Sequence, residues 1–257
     1  MAHILGIAGD YQNERAIKRR ERVLIAAVAF FGILEFACGF FVAHGKFVVF
    51  AIGVLVLILA MRRFGRYFDQ QLRRVRIDET GAEGERAIIP FLKKLPDTYT
   101  VICDLDFADS YGNIDHLVIG PTGIFSIDVK NWKGTVAADG RGELLLNGHP
   151  TDKPQVRNFT RRTMDLKERL KALTRLDPYI QCLFVFPHTY LEARWGTTGA
   201  VLCVDTDNLL SIITKPNPAH AIPPTDIPRL IETVRTLKNL ANATPAEQDQ
   251  HCNHQTP

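Results

Sequence analysis

The sequence lacks a cysteine framework. Its five cysteines, Cys38, Cys103, Cys182, Cys203 and Cys252, form no Cys-x-x-Cys pair, which excludes a disulfide frame and reads as buried thiols in a reducing compartment. No internal repeat is present. Charge of one sign is lacking too: the net charge is +3 over 257 residues. Composition alone therefore gives no argument for nucleic acid, and any basic contact must come from local clusters. The length allows one ordinary domain plus extras.

What is there is unevenly distributed. Residues 23–61 carry almost all the uninterrupted apolar sequence. "VLIAAVAFFGILEFACGFFVA" (23–43) is long enough, at about 1.5 Å per residue, for one bilayer core. After His44-Gly45-Lys46 comes "FVVFAIGVLVLILAM" (47–61), a short second run that spans 46–62 if its flanks snorkel. The expectation is a two-helix transmembrane hairpin, with one span plus a re-entrant piece as the alternative. A cleaved signal peptide fits poorly, because the charged region ahead is long and Glu35 interrupts the run. Glu35 reads as a locally hydrogen-bonded carboxyl, or else as a helix–helix contact of a homo-oligomer. Lys18, Arg19, Arg20 and Arg22 precede the first run, and Arg62, Arg63, Arg66, Arg73, Arg74 and Arg76 follow the second. This bias puts both termini and the folded domain in the cytoplasm, as in an integral protein of a bacterial inner membrane. Arg62 to Arg76 suit anionic headgroups of the lipid bilayer first and nucleic-acid phosphates second.

The expected organisation is a basic N-terminus (1–22), the hairpin (23–61), a basic linker or amphipathic helix (62–78), a folded domain (79–240) and a disordered tail (241–257). The tail's His251, Cys252 and His254 read as incidental rather than as a metal site. In the folded domain, "EGERAIIPFLKKL" (83–95) predicts a helix with Ile88, Leu92 and Leu95 as its stripe. Glu85 falls on or beside that stripe and Glu83 points away. "YTVICDLDF" (99–107), "IDHLVIG" (114–120) and "GIFSIDVKN" (123–131) predict three strands, and 135–148 a small hairpin. A helix follows over 155–174, with Val156, Phe159, Thr163, Leu166, Leu170 and Leu173 buried. The apolar runs 180–186 and 200–205 predict central strands. Thr206 or Asp207 caps a helix over 206–214, and 224–241 closes the domain with an amphipathic helix. The fold class is α/β, a central mixed sheet flanked by helices.

Charges sit inside the predicted strands. Residues two apart share a face, so Ser126, Asp128 and Lys130 lie on one face and Phe125, Ile127 and Val129 on the other. Asp115 lies beside Leu117 and Ile119 in the preceding strand, one tight turn away. The two acids can converge at the sheet end away from that turn. Adjacent carboxylates repel, and a hard divalent cation, Mg²⁺ or Mn²⁺, relieves this. A lysine beside it can orient a water or stabilise charge at phosphorus. Glu85 is a candidate third carboxylate. The plain alternative is an Asp–Lys pair at a sheet edge. His116 faces the other way and is expected to pack.

The stretches "GAEGE" (81–85), "IDHLVIGPTGIFSIDVKNWKG" (114–134) and "KPQVRNF" (153–159) resemble the nuclease-related domain (NERD), a branch of the PD-(D/E)xK restriction-endonuclease-like superfamily. The resemblance covers about residues 79–190. It implies a metal-dependent phosphodiesterase fold acting on DNA, with RNA as the second choice. By position, Asp115 resembles the lone motif Asp, Asp128 and Lys130 the (D/E)xK pair, Glu85 the first-helix glutamate and Gln155 the glutamine opening the next helix. Many relatives carry Glu where this chain has Asp128. Asp115, Asp128 and the Val129 carbonyl would then bind the metal, with Glu85 a direct or water-mediated partner. Lys130 would position the water, and Gln155 would orient Lys130, the water or a phosphate. Lys153, Arg157, Arg161 and Arg162 are candidate phosphate contacts, and Trp132 and Lys133 candidate base or backbone contacts. Two other readings stay open: a catalytically silent nucleic-acid- or protein-binding module on the same fold, and a membrane scaffold.

Overall fold

The computed structural model describes the backbone of residues 1–43, 47–107, 112–192 and 201–242, without the side chains of 38, 41–43, 47–52 and 240–242. The break at 44–46, the tail cysteine and histidines, and the Cys38 side chain lie outside the described residues. The chain divides into two units, Asp10–Ala82 and Met1–Gly9 with Glu83 onward.

The first unit consists of two helices. α1 is Asp10–Ala43, and most of α2, Phe47–Leu92, belongs here as well. They pair through the stacked rings of Phe30 and Phe64, 4.2 Å apart, and through Arg19 and Asp78 at 3.2 Å. Arg20 and Glu79 also pair. Over 62–78 the chain takes the helical alternative: the stretch contains no proline, and α2 runs through it to Leu92. Likewise 10–22 is the start of α1. Among the described residues no helix is long and apolar enough to cross a membrane, so the spans expected at 23–43 and 46–62 find no support there. The helices nonetheless expose large apolar side chains, including Ile25, Phe31, Ile33, Phe36, Leu55 and Leu59.

The second unit is built on a six-stranded mixed sheet. Its strands are β1 (His3–Leu5), β2 (Thr100–Leu105), β3 (Ile114–Gly120), β4 (Gly123–Val129), β8 (Ile180–Phe186) and β10 (Val201–Asp205), in the order β1-β2-β3-β4-β8-β10. β2, β3 and β4 run antiparallel, while β1 joins β2, and β8 and β10 extend β4, in parallel. β2, β3, β4 and β8 are buried along their whole length, which is why they read as near-continuous apolar runs. β1 was not expected. Its three residues are too few to show a strand period, and nothing else in the basic stretch 1–22 marks a strand.

Helices cover both faces. The end of α2 and α4 (Thr206–Thr214) pack Ile88, Leu92, Leu209 and Ile213 against Val101, Val118, Phe125 and Ile127. On the other face, Leu166 and Leu170 of α3 (Gln155–Thr174) and Leu230 and Val234 of α5 (Ile227–Asn242) cover Leu117, Ile119 and Ile124. Phe159 packs on Phe184, ring centroids 4.8 Å apart. A second, small sheet joins β5 (Thr135–Ala138), β6 (Leu144–Leu146), β7 (His149–Pro150) and β9 (Tyr190–Leu191). Two details differ from expectation. Leu173 is exposed and Thr174 buried, because the 3.6-residue period carries the buried stripe to 174. Asp205, not Thr206 or Asp207, caps α4, accepting from Asn208 N at 2.8 Å. Cys103, Cys182 and Cys203 are free and buried, and burial pushes their thiols up to about 12, 11 and 12.

Gly84 explains part of the "GAEGE" stretch. A Cβ there would lie 2.6 Å from the Cβ of Asn131, the residue after Lys130. The missing side chain lets α2 touch the loop leaving β4. On propensity alone Gly84→Ala gains up to about 1 kcal/mol in a helix. The clash reverses the sign, and the variant is expected to lose about 1–3 kcal/mol in chemical unfolding. A stabilised variant would show that the close approach is not there.

Candidate active site on strands β3 and β4

The β3–β4 ladder carries its register as far as His116↔Ile127. Beyond that pair the Val129 N–H is taken by a side chain, Asp115 Oδ2, at 2.7 Å. This bond draws the Asp115 carboxylate across to β4, toward Asp128, the residue opposite it in the continued register. Both acids are buried, at 6% and 2% exposure. The sheet end away from the Gly120–Gly123 turn therefore does bring Asp115, Asp128 and Lys130 together.

Asp128 is held from two sides. Lys130 Nζ lies 2.5 Å from Oδ1, and Arg162 of α3 pairs with Oδ2. Arg162 also donates from Nη1 to the Asn113 carbonyl at 2.7 Å. Asn113 Nδ2 in turn donates to Asp104 Oδ1 at 3.2 Å. Lys130 and Arg162 are each braced by an aromatic ring, with Nζ 5.6 Å from the Phe184 centroid and Cζ 5.6 Å from that of Phe159. These rings fix two long side chains that would otherwise sample many rotamers.

The two carboxyls are pushed apart in acidity. Burial would raise Asp128, but the charges of Lys130 and Arg162, both in direct contact with it, hold it below the ordinary carboxylate value. Asp115 is pushed up to about 7, first by burial and then by the charge of Asp128, against Lys130, the Val129 N–H and Arg162. One acid is firmly ionised, and the other is easily protonated until something positive arrives.

Glu85 does not join them. It is 1% exposed, but α2 packs on the other face of the sheet, the face of Val118 and Ile127. Cys103 senses its charge there, and its backbone lies against the His116 ring. His116 packs, as expected: burial lowers it to about 4 against that backbone contact. Among the described residues no three His, Cys, Asp or Glu side chains gather to hold a metal. What remains is a pair of carboxylates. That suits a hard ion such as Mg²⁺, which takes one or two carboxylates and keeps water and phosphate oxygens for its other positions.

The remaining candidates scatter. Gln155 opens α3 and is half-buried. Trp132 packs on Phe186, ring centroids 5.7 Å apart, and is a packing residue at least in part. Lys133, Lys153, Arg157 and Arg161 are exposed. The N-terminus of α3 is not open to a phosphate, because Glu143 from the loop before β6 accepts from Val156 N and Arg157 N, both at 3.0 Å. Sequence reasoning missed Glu143, Asn113 and Asp104, and placed Arg162 only as a phosphate contact. Asp104 carried a signal, an acid inside an apolar strand. It takes a left-handed backbone, φ 47°, between the pairs Cys103↔His116 and Leu105↔Ile114, a conformation rare outside glycine, asparagine and aspartate.

Residues 80–187 match the model of the nuclease-related domain family (NERD). This match supports the family for that stretch, which contains every residue of the site just described. No curated protein and no solved structure matches the chain.

The acidity of Asp115 has a consequence for stability. Its value rises from 3.8 to about 7 on folding, so its contribution is full below about 3.8 and is lost as pH rises through about 7. His116 falls from 6.5 to about 4, so its contribution is present above 6.5 and is lost as pH falls through about 4. Asp115→Asn removes the first dependence and keeps the second. In EDTA, the variant is expected to be more stable than wild type above pH 7, on the order of a few kcal/mol, with the advantage fading toward pH 4. Parallel unfolding curves from pH 4 to 8 would contradict the buried pair.

Proposed function

We propose that this chain is a metal-dependent phosphodiester hydrolase, a nuclease acting on DNA, with RNA as the second candidate. The convergence of Asp115, Asp128 and Lys130 at one sheet end carries this reading, and the family match over 80–187 supports it. Asp115, Asp128 and the Val129 carbonyl would hold Mg²⁺ or Mn²⁺, which would supply Lewis acidity and an acidified water. In the reaction a water oxygen adds to phosphorus and one P–O ester bond breaks, giving a phosphomonoester and an alcohol. The proton lost by the water ends on the leaving oxygen by way of solvent. Lys130, in contact with Asp128 and Phe184, would orient the water and offset charge on the phosphoryl oxygens. Asp115 holds the Val129 amide and so fixes the strand end on which Asp128 and Lys130 ride.

One observation favours a second reading. Asp128 is already neutralised by Lys130 and Arg162, as in a fold that keeps the residues and binds nucleic acid without cutting it. Cleavage of labelled single- and double-stranded DNA and RNA by the whole chain, with Mg²⁺, Mn²⁺ or EDTA, separates the two. Hydrolysis is expected with metal only, reduced at least about a hundredfold in Asp128→Ala and in Lys130→Ala. Binding without cutting in a folded wild type would select the silent module.

The proposed place of action is the inner face of a lipid bilayer, where α1 and α2 would tether the domain. Their exposed apolar side chains support this, together with the arginines that follow residue 61. Leu59, Arg62, Arg63, Arg66, Tyr67 and Gln70 line one concavity. Vesicle flotation tests it. The chain is expected to float with vesicles and to float better when they contain anionic lipid. Failure to float with either composition would remove the bilayer as a partner.

A further inference from the structure

Arg162 has three kinds of neighbour. Nη2 pairs with Asp128, and Nη1 donates to the Asn113 carbonyl. Nε is buried and has no hydrogen-bond acceptor among the described residues. A buried N–H without an acceptor carries its full desolvation cost, so it marks a place where an acceptor is missing. The Arg162 side chain is only 16% exposed, and Phe159 lies against its guanidinium. Little of the side chain reaches bulk water.

The electrostatics on Asp128 add a second constraint. Both its oxygens already face a cation, so a divalent ion arriving alone meets two positive charges on the carboxylate it needs. A phosphodiester reverses that balance. It brings a negative charge, and its non-bridging oxygens match the planar fork of a guanidinium far better than they match a point charge.

Resting on the reading of this site as a metal-dependent phosphodiesterase, we propose that Arg162 exchanges partners. It holds Asp128 while the site is empty, and turns its fork to a non-bridging oxygen of the substrate phosphate when a divalent cation takes Asp128. Metal and phosphodiester thus bind weakly alone and tightly together. Linkage makes the effect reciprocal: whatever DNA adds to metal affinity, metal adds to DNA affinity.

Calorimetric titration of Mn²⁺ into the whole chain, with and without a phosphorothioate DNA duplex, tests this without turnover. In the wild type the duplex is expected to tighten Mn²⁺ binding roughly tenfold, within the usual range for coupled sites. Arg162→Met is expected to bind Mn²⁺ alone about tenfold more tightly than wild type and to gain less from the duplex than wild type does. Arg162→Lys keeps the charge without the fork, and is expected to bind Mn²⁺ alone as weakly as wild type. Equal Mn²⁺ affinity in wild type and Arg162→Met, raised alike by DNA, would overturn the exchange and leave the metal site standing. No Mn²⁺ binding by any of the three, each shown folded by thermal unfolding, would remove both. Should Arg162→Met fail to fold, Arg162→Gln, uncharged but polar, serves the same comparison.

Discussion

The buried charge of Asp128 is the constraint around which this fold is arranged. A carboxylate at 2% exposure is costly unless it is paired. Its two partners arrive from different elements, Lys130 from the end of its own strand and Arg162 from α3. The pairing therefore fixes where α3 lies on the sheet as well as neutralising a charge. The rings of Phe159 and Phe184 serve the same end by restricting where the two cations can go. Removing one partner would strand the rest, which is why such clusters are more sensitive to truncation than their net stabilising effect suggests.

Local charge does here what composition cannot. The chain has almost no net charge, yet its chemistry-bearing groups sit in a small patch where two cations face two acids of unequal strength. Glu143 sharpens the contrast: a carboxylate from the small sheet fills the N-terminus of α3. That helix end is then a structural joint, and among the described residues the cations paired with Asp128 are Lys130 and Arg162. The second sheet thus acts on the site indirectly, by seating the helix that brings Arg162.

Much of this was legible in the sequence, for physical reasons. β3 and β4 are joined by a two-residue turn, so their register follows from the turn, and the meeting of Asp115 with Asp128 follows from period-two geometry. α3 was legible because its stripe is strongly periodic. The missed features share one property, that they depend on contacts far apart in the chain. Arg162 meets Asp128 from a separate element, and nothing in "NFTRRT" distinguishes Arg161, exposed, from Arg162, buried in the site. Glu143 reaches a helix that begins twelve residues later. Glu85 was put on the right stripe, but a stripe does not say which face of the sheet the helix will cover. The choice between linker and helix over 62–78 turns instead on a local property: the stretch has good helix formers and no proline, so nothing local ends α2 there.

The strand His3–Leu5 gives the chain an order of events. It pairs with β2, about a hundred residues further on. Everything between, both long helices included, is an excursion that leaves the sheet after its first strand and returns for its second. As the chain emerges from the ribosome, residues 3–5 have no strand beside which to lie. This edge strand is therefore made well before its partner, and closing that loop waits for the whole helical excursion to be synthesised. In such a chain β3 and β4 meet across a two-residue turn, whereas β1 has the partner most distant in sequence of any strand in its sheet.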